Sequence, residues 1–178
     1  MSESDIEPHM IGLTLETLPA LERSTLRLVL DQVRSAFNTG ALFRTADAAC
    51  VEKIYLLGLT PHPPQPQLEK TSLGSTAYVR WEHLETAEQA WTELEVEGYT
   101  LVALDNGPGS VSVWDFQWPE KTALVAGNEV EGVSPELLER CRGRVNIPML
   151  GYKRSLNVTT ALGIAIYDWL RTFRSGQG

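Results

Sequence analysis

Short apolar runs alternate along this chain with segments of helical periodicity, and this alternation constrains the fold more than any other feature. Leu26, Leu28 and Leu30 mark a first strand; Val33 to Phe37 read as a loop, and Asn38 stands at an N-cap position before a helix over Thr39–Ala49. Ile54–Leu57 reads as a second strand, which completes a β-α-β unit. The segment Thr60–Gln67 holds four prolines and reads as an exposed irregular loop, followed by a short strand over Tyr78–Trp81. Thr86 and Gln89 fit a capping box opening a helix that runs to about Glu97 and is stopped by Gly98. Tyr99–Leu104, Lys121–Ala126 and Val145–Ile147 read as further strands, and Ser134-Pro135 as the capped start of a helix. Strands and helices in this order predict an α/β fold, a mainly parallel sheet flanked by helices.

The segment Ile147–Asn157 has the chemistry of a pocket. An apolar run broken by Pro148 is followed by Gly151, Lys153 and Arg154, then by Ser155 and Asn157 at the start of a long helix. That order brings backbone polar groups and hydroxyls together at a helix N-terminus. Val158, Ala161, Leu162, Ala165, Ile166, Trp169, Leu170 and Phe173 then keep the spacing of one buried helical face. Thr160 and Gly163 keep the early turns small enough for close approach of another backbone or another subunit.

A chain of 178 residues suffices for one full core. No run approaches the ~18 apolar residues needed to cross a bilayer, and the N-terminal region has no signal-peptide form, so a cytoplasmic protein with no membrane partner is expected. Residues 1–24 read as an acidic extension, disordered over 1–10 with a possible short helix over 11–23, and residues 25–174 as the folded domain. Cys50 and Cys141 lack metal-ligand spacing and read as free buried thiols. A net charge of −8 argues against a nucleic-acid partner, and no DNA-binding role is expected. The distribution softens this, because Arg140, Arg142, Arg144, Lys153 and Arg154 fall in a tract without acids beside the candidate pocket.

Three segments, taken together, resemble the SpoU (TrmH) branch of the SPOUT superfamily of RNA ribose 2′-O-methyltransferases: Asn38-x-Gly40-x-x-x-Arg44-x-Ala46, Gly127-Asn128-Glu129-x-x-Gly132, and Ile147-Pro148-Met149 with Ser155-Leu156-Asn157-Val158. Their order and spacing match the family over about residues 25–173. The resemblance implies a deep trefoil knot in the C-terminal part, a homodimer, S-adenosylmethionine as cofactor with S-adenosylhomocysteine as product, no metal, and a structured tRNA or rRNA as substrate. The site it implies comprises Arg44, Asn38, Glu129, Ser155 and Asn157 for catalysis, with Leu104, Gly127, Asn128, Ile147, Met149 and Leu156 around the cofactor. Arg34, Lys153 and Arg154 are the candidate RNA-binding cations.

Arg44 sits on a helix rich in Ala, Leu and Phe, where a charge needs a partner, and Glu129 is its expected carboxylate. Its role stays open between activating the 2′-hydroxyl and stabilising the developing oxyanion through a planar fork. The Gly-Asn-Glu form of the second motif and the stretch Lys70–Gly74 look more like the general group that includes tRNA guanosine methylators than like the minimal wobble-position enzymes. A non-catalytic relative that binds cofactor or RNA as a partner subunit is the alternative.

Overall fold

The structure, a computed structural model, describes residues 23–174. The strands are β1 Leu26–Asp31, β2 Lys53–Leu57, β3 Arg80–Leu84, β4 Thr100–Leu104, β5 Val111–Ser112, β6 Thr122–Ala126 and β7 Gly143–Asn146. The helices are α1 Ala36–Ala48, α2 Pro66–Ser72, α3 Ala87–Val96, α4 Pro135–Arg140 and α5 Val158–Arg174. The strands form a single sheet in the order β3-β2-β1-β6-β4-β7-β5, and every neighbouring pair is parallel. Parallel neighbours need crossover helices, and these cover both faces. Leu26, Leu28 and Leu30 of β1 point into a core shared with Leu42 and Phe43 of α1, Leu68 of α2 and Leu162, Ile166 and Trp169 of α5. Val29, Tyr55, Leu101 and Val125 point to the opposite face, against Leu94 of α3 and Leu137 of α4.

Several elements differ from the sequence-based expectation. α1 starts two residues before Asn38, because Ser35 takes the N-cap: its hydroxyl accepts from the Asn38 backbone N–H at 3.2 Å. Asn38 therefore lies inside the first turn with its side chain free for other partners. The proline-rich segment contains the start of α2, since Pro66 occupies a first-turn position where a missing N–H costs nothing. The third strand is Arg80–Leu84, later than Tyr78–Trp81, because a 3-10 turn at Ser75–Ala77 uses the preceding residues. As an edge strand paired only with β2, β3 tolerates the polar residues that hid it. The two-residue β5 was not foreseen. Ser134 stands at the N-cap of α4 but makes no side-chain cap bond. Thr86 and Gln89 form the expected capping box. Cys50 and Cys141 are free thiols and are only partly buried. The expectations for residues 1–22 lie outside the described residues.

The starting ends of the strands carry a polar clamp that sequence reading missed. Arg27 of β1, 6% exposed, donates to Glu52 at 3.0 Å, to the Tyr55 hydroxyl at 2.9 Å and to Glu97 just after α3. Lys53 bridges Glu82 and Glu93 at 2.7 and 2.9 Å. Buried charges persist only when paired in this way.

Gly40 of the first motif lets α1 press on α2: a Cβ there would lie 2.0 Å from the Thr71 hydroxyl and 2.4 Å from the Leu68 carbonyl oxygen. Since the carbonyl belongs to backbone, Gly40→Ala should behave as an overpacking substitution and cost about 1–3 kcal/mol. Thermal unfolding should show a midpoint lower by several degrees, at roughly 2–4 °C per kcal/mol for a chain of this size. An unchanged midpoint would show that the α1–α2 contact yields.

Candidate functional site

A cavity of about 490 Å³ opens at the carboxyl ends of β4 and β6 and against the segment that follows β7. In open parallel sheets this end is where ligands bind, because the strand ends leave backbone groups that no neighbour covers. The volume falls within the range of small-molecule sites. Of the expected residues, Leu104, Gly127, Asn128, Glu129, Ile147, Met149, Ser155, Leu156 and Asn157 line it. Asp105, Asn106, Val130, Gly132, Val158 and Ala161 line it too and were not foreseen. Gly132 and Val158 stand in the second and third motifs; the only signal of the others is position, after the end of a strand or in the first turns of the last helix.

Close backbone approach builds the wall. A Cβ at Gly127 would lie 2.1 Å from the carbonyl group of Gly132, so only glycine fits where the loop folds back on itself. Gly132 takes φ +76°, in the left-handed region that suits glycine. The side chain of Asn128 is spent on this turn: its Oδ1 accepts from the N–H groups of Val130 and Glu131, and its Nδ2 donates to the Gln32 carbonyl. Asn128 is thus a strut between the loops after β6 and β1. Nearby, the buried carboxylate of Asp31 accepts from the Ser134 N–H at 2.7 Å.

At the rim three polar side chains from three distant segments meet. Asn38 Nδ2 donates to Glu129 Oε1 at 2.9 Å, and Asn157 Nδ2 donates to Asn38 Oδ1 at 3.2 Å. Asn157 Oδ1 accepts from the Thr159 N–H at 2.8 Å, capping α5. A carboxylate accepts only, so Glu129 fixes which end of the Asn38 amide faces it. The other end is then obliged to face Asn157. Burial tends to raise the Glu129 carboxyl, but hydrogen bonds from the Asn38 amide and from backbone N–H groups, those of Arg34 and Ser35 among them, outweigh it and hold the group below its ordinary 4.5.

Other expected residues stand apart. Arg44 is exposed and lies outside the cavity lining; among the described residues it makes no ion pair, and Glu129 is engaged with Asn38 instead. The reason is the early start of α1, which sends Asn38 to the carboxylate and leaves Arg44 nearly two turns further along. Ser155 is exposed at the cavity and leaves the helix cap to Asn157. The basic tract is divided. Arg140 stacks over Trp91 and approaches Glu95, while Arg144 faces Asp105 at 3.8 Å. Arg140 and Arg142 precede β7 and Lys153 and Arg154 follow it, so the two pairs sit at opposite ends of the sheet. Lys153, Arg154 and Arg34 are exposed, with Arg34 near Glu131 at 3.9 Å.

Residues 25–167 match the SpoU rRNA Methylase family. The chain belongs to this family. Among its SpoU relatives is the tRNA (guanosine(18)-2'-O)-methyltransferase of Aquifex aeolicus (strain VF5), 34% identical over 139 residues, which are 78% of this chain and 65% of that enzyme. The chain thus spans somewhat less than two thirds of that relative's length. The SpoU methyltransferase AviRb from Streptomyces viridochromogenes, solved in complex with AdoMet, superposes with a TM-score of 0.80 at 27% identity, over 92% of this chain and 66% of that one. A structure solved for the 2-OH methylation of C/U34 on tRNA superposes with a TM-score of 0.74 at 29% identity, covering 84% of this chain and 97% of that one. The SpoU fold is therefore present with its sheet and helices in place. No helix among the described residues is long and apolar enough to cross a membrane.

The lowered Glu129 value has a definite consequence for pH. A carboxyl held below 4.5 in the folded state stabilises the fold above that pH, and the contribution is lost as pH falls through the lowered folded value. The unfolding free energy of the native chain minus that of Glu129→Gln should therefore be constant near neutrality and shrink on the acid side. A difference that grows on acidification would contradict the assignment.

Proposed function

We propose that residues 25–174 form an S-adenosylmethionine-dependent methyltransferase domain that modifies a ribose 2′-hydroxyl in tRNA or rRNA, acting as a homodimer in the cytoplasm. The observation that carries this reading is the Glu129–Asn38–Asn157 array set at the rim of a cavity whose lining has two carboxylates, Asp105 and Glu129, and no Lys or Arg among the described residues. Such a lining disfavours a phosphate-bearing ligand and suits one with a sulfonium and an ammonium group. Leu104, Ile147, Met149 and Leu156 supply apolar walls for an adenosine. When bound, S-adenosylmethionine supplies an activated methyl together with its own leaving group, so the protein's task is positioning and electrostatics. The sheet order supports the family's knot, since β6 lies between β1 and β4 while β7 lies beyond β4.

Asn38, locked by Glu129 and Asn157, presents a fixed amide at the cavity mouth. Arg44, whose guanidinium stays protonated, is suited to stabilise the 2′-oxygen as it loses its proton and to grip an adjacent phosphate through its fork. That role needs Arg44 near a site, and α1 and α5 together offer a way. They pack on each other near Thr45 and Gly163, and on α5 beside this contact Ile164 and Tyr167 are exposed by 36% and 52%. An apolar patch of this kind fits a second copy of the chain, which would bring Arg44 of one subunit to the cavity of the other.

Incubation with labelled S-adenosylmethionine and total tRNA and rRNA, followed by mass spectrometry of nucleosides, tests the reading. A 2′-O-methylated nucleoside is expected; cofactor affinity without turnover would favour a silent relative. Arg44→Ala should bind S-adenosylhomocysteine almost normally and be inactive, and Arg44→Lys should fail with it. If affinity falls as far as activity, the division of roles is wrong. Sedimentation should show a dimer of the 19.7 kDa chain, and mixing Arg44→Ala with Asn157→Ala chains should restore part of the activity.

Lys153 and Arg154 are exposed and make no ion pair among the described residues. Reversal of both to Glu should abolish RNA methylation. With few such cations the slope of log affinity against log salt should be shallow, at about one unit per phosphate contacted. A steep slope would place recognition elsewhere.

A further inference from the structure

Tyr152 has no role in the site as described, yet its setting is unusual. Its side chain is 97% exposed, whereas Tyr55 is wholly buried and Tyr99 is 7% exposed. It stands between Leu150, 92% exposed, and the two cations Lys153 and Arg154. The loop that carries it is tied at both ends to the cavity. Met149 and Ser155, each three residues away, line the cavity, and the Asn106 amide donates to the Arg154 carbonyl at 3.1 Å. Three residues of chain reach at most about 10–11 Å, so Tyr152 cannot be farther than that from either lining residue. An aromatic ring in solvent, beside two cations and within reach of the cavity mouth, combines the two elements that bind single-stranded nucleic acid: a stacking face and phosphate-neutralising charge.

We propose that Tyr152 is the platform on which a base of the RNA stacks, with Lys153 and Arg154 holding the flanking phosphates, so that the methylated ribose belongs to an unpaired nucleotide. This rests on the RNA methyltransferase reading above and deepens it by naming the substrate class. A ribose hydroxyl enters the cavity only if its nucleotide leaves the surface of a helix, and a base so displaced loses its stacking neighbours. Tyr152 replaces one of them. In duplex RNA every base already has two neighbours, and the ring has nothing to offer. Charge complementarity favours this occupant over an acidic protein surface, because stacking is tolerant of base identity and needs no shaped groove around the ring, and the loop provides none.

The test compares the native chain with Tyr152→Ala, Tyr152→Phe and Tyr152→Trp. Readouts are kcat/KM on bulk tRNA and rRNA, affinity for a short single-stranded RNA and for the same sequence as a duplex, affinity for S-adenosylhomocysteine by calorimetry, and sedimentation. Tyr152→Ala should lose about tenfold or more in kcat/KM and in single-strand affinity, with duplex affinity, S-adenosylhomocysteine affinity and oligomeric state unchanged. Phe and Trp should restore the loss, since the ring and not the hydroxyl does the stacking. Equal single-strand affinity in Tyr152→Ala would overturn the proposal. So would a parallel loss of S-adenosylhomocysteine affinity, which would make the ring a cover for the cofactor, or loss of the dimer, which would make it a subunit contact. If the native chain methylates no RNA, the functional reading fails on its own, and the single-strand and duplex affinities still decide the role of Tyr152.

Discussion

A parallel sheet covered by helices on both faces has only its two ends left for polar chemistry. The inner strands β1, β2, β4 and β6 are buried through their middles, and the helices α1, α2 and α5 on one side and α3 and α4 on the other cover both faces. Polar side chains therefore gather at the ends of the strands, and the two ends differ in kind. At the starting end, Arg27 is held between Glu52 and Glu97 and Lys53 between Glu82 and Glu93. At the carboxyl end, Asn38, Glu129, Asn157 and Asp105 surround a cavity with negative charge in excess. The first set engages its two cations in internal pairs; the second lines an open cavity.

The carboxyl end is held in shape by contacts that span the chain. Asn128 reaches back to Gln32, Ser134 to Asp31, Glu129 to Asn38 and to the Arg34 backbone, and Asn157 to Asn38. These separations run from 91 to 119 residues, so none forms before the sheet has brought β1, β6 and β7 together. The site is a consequence of topology more than of any local motif. A fixed amide at Asn38 follows, since its two ends are assigned by an acceptor on one side and a donor on the other.

Much of this was legible in the sequence, and what was not has specific causes. Strand alternation and the capping box at Thr86 and Gln89 are local signals and were read correctly. The Gly127 and Ile147–Asn157 segments were placed at the cavity from their motifs. The N-cap went to Asn38 because both Ser35 and Asn38 have the chemistry, and only packing of Ala36 into the core chooses between them. α2 hid behind prolines, one of which opens it. Arg44 was expected to pair with Glu129 because both flank the same loops; sequence spacing has no knowledge of which of two donors, an arginine or an amide, reaches the carboxylate first. The basic tract was read as one patch, but a strand running through its middle carries its two parts to opposite ends of the sheet.

Under the RNA-modifying reading proposed above, that division bears on how a chain of net charge −8 would hold a polyanion. Long-range attraction to phosphate is weak for such a chain, so encounter owes little to steering and retention must come from short-range contacts near the cavity. Arg140 and Arg144 are engaged with Trp91, Glu95 and Asp105, and Arg34 faces Glu131, which leaves Lys153 and Arg154 as exposed cations close to the cavity without an ion pair among the described residues. Two such cations on a monomer are few; the homodimer proposed above would double them and bring the exposed Arg44 towards a second cavity.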